Sequence, residues 1–272
     1  MKDLAFVGRK YLGGVKMRGV EVAQKMGVPF IDNKKLDPWG KKFDTIILVK
    51  YWINDQKWLQ TLRNRCHTLI YDPLDSWTQT RPHYKATAFW KWTQKILKWD
   101  RIVATSGSCV ASMIECNKPI HMGLHHADSR IKNDWYDPKG PIVYAGGLRF
   151  IASELDNIKP ICKKLNRILI VAGGKDCWQS LQGASLVLHP RFSPEDTDLN
   201  KHCKPQVKLE NSIAAGIPIV ATWHPCVFTC RHNVQNMDPK NDFGIAEALE
   251  CGPYLENPFT IDHYIEEIRK WK

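Results

Sequence analysis

The sequence predicts an α/β fold of two doubly wound, Rossmann-like halves facing a cleft. Short apolar, β-branched runs alternate with helical stretches. The alternation halts in a turn-rich segment at residues 133–141 and then restarts with a second set of runs. Alternating strand and helix signals imply parallel strands joined by right-handed crossovers.

In order, Leu4–Gly8 reads as the first strand, and Gly13-Gly14 as a glycine loop before a helix over Val15–Met26. Thr45–Lys50, Thr68–Tyr71, Arg101–Thr105 and Pro119–Met122 are further short apolar runs of strand composition. Between Trp77 and Trp99, Phe89, Thr93, Ile96 and Leu97 recur at helical spacing, as the core face of an amphipathic helix would. Asn133–Pro141 is crowded with turn formers and reads as the linker. The second half then gives a strand at Ile142–Ala145, a turn at Gly146-Gly147, a helix over Glu154–Leu165 and strands at Ile168–Ala172 and Ser185–His189. A helix opening at Pro205 and a strand at Ile219–Ala221 follow, with loops at Leu199–Lys204 and Trp223–Asn241 and a closing helix over Ile261–Trp271. The expected domains are residues 1–137 and 138–258, with the C-terminal helix of 259–272 crossing back to the first.

A chain of 272 residues is long enough for two such domains. It has no apolar run of about 18 residues, so stable insertion in a membrane is not expected. The opening Met1-Lys-Asp-Leu-Ala leads straight into a strand rather than a signal peptide. Nine cysteines, an odd number at irregular spacing, argue against a disulfide framework and for a cytoplasmic location. A monomer is expected. Charge is uneven: residues 1–139 hold 24 lysines and arginines against 13 acids, and residues 140–272 hold 15 against 15. The whole excess of +11 therefore lies in the first half, where it would attract a polyanion.

The most informative stretch runs from Lys204 to Val220. Pro205 suits a first helical turn, Ile213 and Ile217 stripe one face, Gly216 stops the helix, and Ile-Pro-Ile-Val-Ala follows as a buried strand. Lys204 and Lys208 fall in the first turns, where unpaired N–H groups and the helix dipole already favour anions, so the helix reads as a diphosphate receptor. Glu210 and Asn211 lie about one turn deeper, within reach of ribose hydroxyls.

This run resembles the nucleotide-sugar helix of two-domain GT-B glycosyltransferases, especially the retaining family-4 type. Phe6–Met17 is similar to that family's opening strand and glycine loop, Ile70–Trp77 to its strand-end Tyr-Asp-x-x-Asp segment, and Ile142–Arg149 and Ile168–Lys175 to the first strands of its donor domain. The resemblance implies transfer of a hexose, glucose first among them, from a nucleotide sugar such as UDP-glucose, with no required metal. It implies that Gly13 and Gly14 approach the donor diphosphate and that Arg149, Lys175 and Arg191 join Lys204 and Lys208 in neutralising it. The paired acids of retaining members would fall on Cys203 and Asn211, so the partner acid is absent and the stereochemical outcome stays open.

Acceptor activation needs a group that aims or deprotonates a hydroxyl. Asp72 and Asp75 follow a core strand directly and are the candidates, although either could instead cap a turn or helix. His121, His125 and His126 sit near the expected domain junction, where one could contact the sugar or phosphate. His224, Cys226, Cys230 and His232 do not have the spacing of a standard zinc knuckle, and no metal site is expected. Arg81, Lys85, Trp90, Lys91, Trp92 and Lys95 interleave cations and rings, a pattern suited to stacking bases and contacting phosphates. A small GT-B protein with a basic acceptor domain resembles the bacteriophage glucosyltransferases that modify hydroxymethylated bases in viral DNA, which makes DNA the expected partner. Two alternatives remain: a transferase acting on a cell-surface or lipid-linked acceptor, and a non-catalytic nucleic-acid binder with a relic sugar-nucleotide site.

Overall fold

A computed structural model describes residues 3–10, 13–50, 55–74, 85–148, 151–174, 177–190, 202–203, 206–222, 234–253 and 255–271. The chain divides into two compact units. The first comprises Met1–His125, Thr197–Pro205 and Ile261–Lys272, and the second His126–Asp196 and Gln206–Thr260.

The first unit is built on strands β1 (Leu4–Gly8), β2 (Phe30–Asp32), β3 (Phe43–Val49), β4 (Cys66–Asp72), β5 (Arg101–Ala104) and β6 (Ile120–Met122). They form one parallel sheet in the order β2-β1-β3-β4-β5-β6. Adjacent residues divide between two cores. Ala5, Val7, Ile46, Leu48, Leu69 and Tyr71 pack on one face, and Leu4, Phe6, Ile47, Val49 and Ile70 on the other. Both faces are covered, which is why β3 reads as an almost unbroken apolar run rather than an alternating one. The first face receives α3 (Gln56–Asn64), α4 (Ala86–Leu97) and α5 (Gly107–Met113). Asp55 caps α3 by accepting from the N–H groups of Lys57 and Trp58, and Ser106 caps α5 by accepting from Cys109.

The opposite face is covered by a helix that runs as α1 (Gly13–Val15), a π-helical stretch (Lys16–Glu21) and α2 (Val22–Met26). Gly19 in the π stretch lets Phe30 approach; a Cβ there would lie 2.9 Å from its ring. The C-terminal helix lies on this face too, with Tyr264, Ile265 and Ile268 in the same core.

One polar cluster is sealed inside this layer. Arg18 donates from Nε and Nη2 to Asp72 Oδ2 at 2.9 and 2.7 Å, and from Nη1 to the carbonyls of Gly123 and Leu124. Tyr264 donates its hydroxyl to the same carboxylate oxygen at 2.7 Å, and the guanidinium lies 3.9 Å from the Tyr264 ring centroid. Asp72 Oδ1 accepts from the N–H of Leu74. Arg18 and Asp72 are both fully buried. Burial alone would lower the Arg18 pKa, but the Asp72 charge and its hydrogen bonds hold it above the ordinary value. For Tyr264, burial is the main cause of a phenol pushed well above its usual range.

The second unit repeats the scheme with β7 (Ile142–Ala145), β8 (Leu169–Ala172), β9 (Leu186–His189), β10 (Ile219–Ala221) and β11 (Gln235–Asn236), in the parallel order β11-β10-β9-β7-β8. The helix α6 (Leu155–Lys164) helps to close one core with Ile142, Tyr144, Leu186 and Leu188, where α8 (Ile245–Glu250) also packs. The helix α7 (Val207–Ala214) closes the other with Val143, Val187, Ile219 and Ala221. Gly216 adopts φ +71° as α7 stops, as its place in the sequence implies. The C-terminal helix described above is α9 (Ile261–Lys270).

Several elements depart from the sequence expectation, α5 among them. β2, α3 and β11 are additions, and residues 239–250 hold a 3-10 turn and α8 where a loop was expected to run as far as Asn241.

The buried ion pair generates a direct test. Asp72→Asn leaves the Arg18 charge enclosed without its counter-charge, which should cost about 3–5 kcal/mol in urea denaturation. Arg18→Met combined with Asp72→Asn should recover part of that loss.

Candidate functional site

Ligands of doubly wound sheets bind outside the carboxyl ends of the strands, where the strand order reverses. In the second unit that reversal falls between β7 and β9. β7 ends in Tyr144-Ala145 and passes into Gly146-Gly147, and α7 begins with Val207-Lys208. The Lys208 ammonium lies 4.3 Å from the centroid of the Tyr144 ring. It is also pressed against Gly146. A Cβ at that residue would stand 2.6 Å from Lys208 Nζ and 2.7 Å from the Tyr144 hydroxyl oxygen. Only glycine leaves that space, and the backbone is fixed because Gly146 donates to the Ala172 carbonyl at 2.7 Å.

The ammonium therefore sits beside the end of β7, one residue into the first turn of α7. The first N–H groups of a helix have no acceptor within the helix itself, and its dipole adds partial positive charge at the same end. A cation, a glycine turn and a helix start meet at the switch point, an arrangement chemically suited to a phosphate or diphosphate.

Glu210 and Asn211 are placed differently from the ribose ligands expected from the sequence. Glu210 is 1% exposed, and its Oε2 accepts from the Phe259 N–H at 2.7 Å. Asn211 Oδ1 accepts from the Asp128 N–H at 2.9 Å. Ala127 in turn donates to the Phe259 carbonyl at 2.8 Å. These two side chains thus lash residues 127–128 and 259 to α7, close to where the chain enters and leaves the second unit. The signal for this role was a carboxylate next to an amide on the inward side of a short helix, which sequence spacing does not separate from a ligand pair.

The expected base Asp72 needs correction as well. Enclosed by Arg18, Tyr264 and Leu74, it has neither the exposure nor the freedom to take a proton from a substrate, and it serves as the anchor of the buried cluster. Gly13 opens α1 with nothing within 4 Å of an added Cβ, whereas a Cβ at Gly14 would meet Leu74 at 3.2 Å. Asp75, Arg81, Arg149, Lys175, Arg191 and Lys204 lie outside the described residues, as do His224, Cys226, Cys230 and His232.

The aromatic part of the expected nucleic-acid surface is corrected too. Trp90 is fully buried; it donates from Nε1 to Ser112 Oγ at 2.9 Å and meets Phe89 edge-on at 4.6 Å. Trp92 packs against the same core. Both follow from the helical period: residues 89, 90, 93 and 97 line the inward face of α4, and Trp92 flanks it. Lys85 and Lys95 are exposed, and Lys91 pairs with Glu115 at the surface.

Two of the junction histidines, His125 and His126, are buried. His126 Nδ1 lies 2.8 Å from the Ala127 carbonyl. His121 stacks on Trp271 at 5.2 Å, and burial followed by the nearby Arg101 charge lowers its pKa. Burial pushes the Cys66 and Cys162 thiols up to about 11, so neither supplies a thiolate near neutrality.

No protein-family model matches the chain, and no curated protein matches it in sequence. Solved structures do. The chain is similar to AviGT4, a glycosyltransferase involved in avilamycin A biosynthesis, at 13% identity and TM-score 0.56, over 98% of this chain and 92% of that one. It is similar to S. aureus MnaA, solved together with UDP, at 10% identity and TM-score 0.51, over 98% and 94% of the two chains. A chain of the Gap123 glycosylation-associated complex from Streptococcus agalactiae aligns with TM-score 0.47 at 13% identity over 85% of this chain; there the present chain spans only 52% of the other's length. Together with the two parallel sheets, the first two likenesses establish a Rossmann-like GT-B fold. No helix among the described residues is long and apolar enough to cross a membrane.

The strap on α7 can be tested by Glu210→Ala. Removing the acceptor of the part-buried Phe259 N–H should cost about 1 kcal/mol on thermal unfolding, with faster hydrogen exchange at the Phe259 amide.

Proposed function

We propose that the chain is a glycosyltransferase that draws a hexose from a nucleotide sugar, UDP-glucose first among the candidates, and passes it to a hydroxyl acceptor. One observation carries this reading: the Lys208 ammonium held over Tyr144 against Gly146, beside the first turn of α7 and at the switch point of a GT-B-like sheet. Transfer from a nucleotide sugar requires stabilisation of a departing diphosphate, and fixed cations with helix N–H groups provide it without waiting for solvent to reorganise. The likeness to AviGT4 and to MnaA with UDP supports the same substrate class. Arg149, Lys175, Arg191 and Lys204 are proposed as further cations of the donor site. With Asp72 committed to the buried pair, Asp75 is the carboxylate proposed to orient the acceptor.

For the acceptor we propose a polyanion, with hydroxymethylated bases in phage DNA as the first candidate. What supports this is the +11 excess confined to residues 1–139, with Lys85 and Lys95 exposed on α4. Trp90 and Trp92 are packed into the core of the first unit and do not supply a base-stacking surface. An enzyme acting on a base within a duplex must first extrude it, so single-stranded or mismatched DNA should react faster than paired DNA.

The donor site is checked by calorimetric titration with UDP and UDP-glucose. Lys208→Ala removes a charge-assisted contact, so affinity should fall about tenfold or more. Gly146→Ala, which displaces the ammonium without removing it, should weaken binding in the same direction. Unchanged affinity in both variants would defeat the reading. The acceptor is checked by incubation with UDP-glucose and DNA containing 5-hydroxymethylcytosine, followed by digestion and mass spectrometry. A hexose-shifted nucleoside is the expected result; its absence across several sugar donors, with UDP binding intact, would remove DNA as acceptor and leave the donor site standing.

A further inference from the structure

The second sheet ends at β8, whose outer side pairs with no other strand among the described residues. Ile142 and Gly146 of the inner neighbourhood donate to the carbonyls of Ile168 and Ala172. By the alternation of a parallel ladder, Leu169 and Val171 therefore turn their N–H and C=O groups away from β7, toward the open edge. An uncovered row of such groups is a template for a further strand.

The side chains around that edge are unlike ordinary surface. Ile168 is 73% exposed, Leu148 57% and Ile170 37%. Ile170 alternates with Leu169 and Val171, so it lies on the face of β8 turned away from α6, while Ile168, just before the strand, borders the groove on the α6 side. On the α6 face lies a groove of about 530 Å³, lined by Leu155, Cys162, Leu169 and Val171. Its rim is cationic. Lys159 and Lys163 are exposed on α6, and neither meets an acidic partner among the described residues. Arg167 is committed through Nη2 to the Pro138 carbonyl at 2.7 Å, and its Nε–H has no acceptor among the described residues. The guanidinium is part-exposed beside the groove, and a carboxylate is the anion that best matches its donors.

We propose that the open edge of β8 binds an extended acidic segment of a partner protein. The segment would add a strand to the sheet by pairing with the backbone of Leu169 and Val171. Its side chains would alternate, carboxylates toward Lys159, Lys163 and Arg167 on the α6 side and apolar groups over Ile170 on the other. Strand addition of this kind takes affinity from the main chain and specificity from the alternate side chains. A second copy of the chain fits this edge poorly, because two-fold pairing of β8 with itself would bring the same three cations of each copy together.

The test uses two fluorescein-labelled octapeptides, one alternating Glu with Val and one alternating Lys with Val, read by fluorescence anisotropy and by hydrogen exchange on the full chain. The Glu peptide should bind, the Lys peptide should not, and the Leu169 and Val171 amides should gain protection only with the first. Lys159→Glu combined with Lys163→Glu should weaken the Glu peptide at least tenfold and admit the Lys peptide. Both positions are exposed, so the variant should keep the wild-type circular dichroism and melting temperature. No binding, equal binding of both peptides, or binding without protection at those two amides would overturn the proposal. So would sedimentation showing a dimer broken by Ile170→Glu, or flotation with phosphatidylserine vesicles abolished by Ile168→Glu, since each assigns the edge to a different occupant. None of these outcomes depends on nucleotide-sugar binding.

Discussion

An all-parallel sheet admits no hairpins, so every strand must be followed by a crossover that carries the chain back to the amino-terminal edge. Both sheets of this protein obey that constraint, and much else follows from it. The crossovers put helices on both faces, which is why consecutive residues of β1, β3 and β4 belong alternately to two different cores. The carboxyl ends of all strands in a unit point the same way, toward the edge where the following helices begin. In the second unit this brings the glycine turn after β7 and the first turn of α7 to one place, although the sequence separates them by about sixty residues.

Two charged groups on these strand and helix ends have opposite fates. Lys208 stays half-exposed, resting on an aromatic face beside a glycine. Asp72, at the end of β4, is closed over by Tyr264 and paired with Arg18. A buried ion pair adds little net stability over an apolar substitute, but either member alone is strongly unfavourable. Its effect here is to specify geometry: it fixes the π-helical stretch, the carbonyls of residues 123–124 and the C-terminal helix against one strand end. A carboxylate held that way is structural, whatever its position in a strand-end motif suggests.

The two units also distribute polarity differently. Residues 1–139, most of which belong to the first unit, carry the entire excess of positive charge, and the aromatic-rich helix α4 turns its largest rings inward against α5 and the sheet. The second is neutral overall yet leaves one sheet edge uncovered, with apolar side chains on one face and lysines on the other. A short edge strand offers few unpaired backbone groups, and β8 has four residues.

The sequence by itself determined the class of fold, the order of most strands and the helix that opens near Lys208. These are local properties: β-branched runs, helical periods, and Gly216 at a helix stop needing a left-handed residue each leave a mark within a few neighbouring positions. It did not reveal β2 or β11, which are only three and two residues long, nor α3 and α5, although Asp55 and Ser106 stand at their N-caps and Leu59 and Leu62 mark the buried side of α3. Nor could it assign roles to Asp72, Trp90, Glu210 and Asn211. Each has a residue type that suits either a ligand or a structural partner, and the choice rests on Arg18, Ser112, Phe259 and Asp128, contacts that only tertiary folding brings into reach. Burial decides these cases, because a polar group removed from water must take its hydrogen bonds from whatever the fold places beside it.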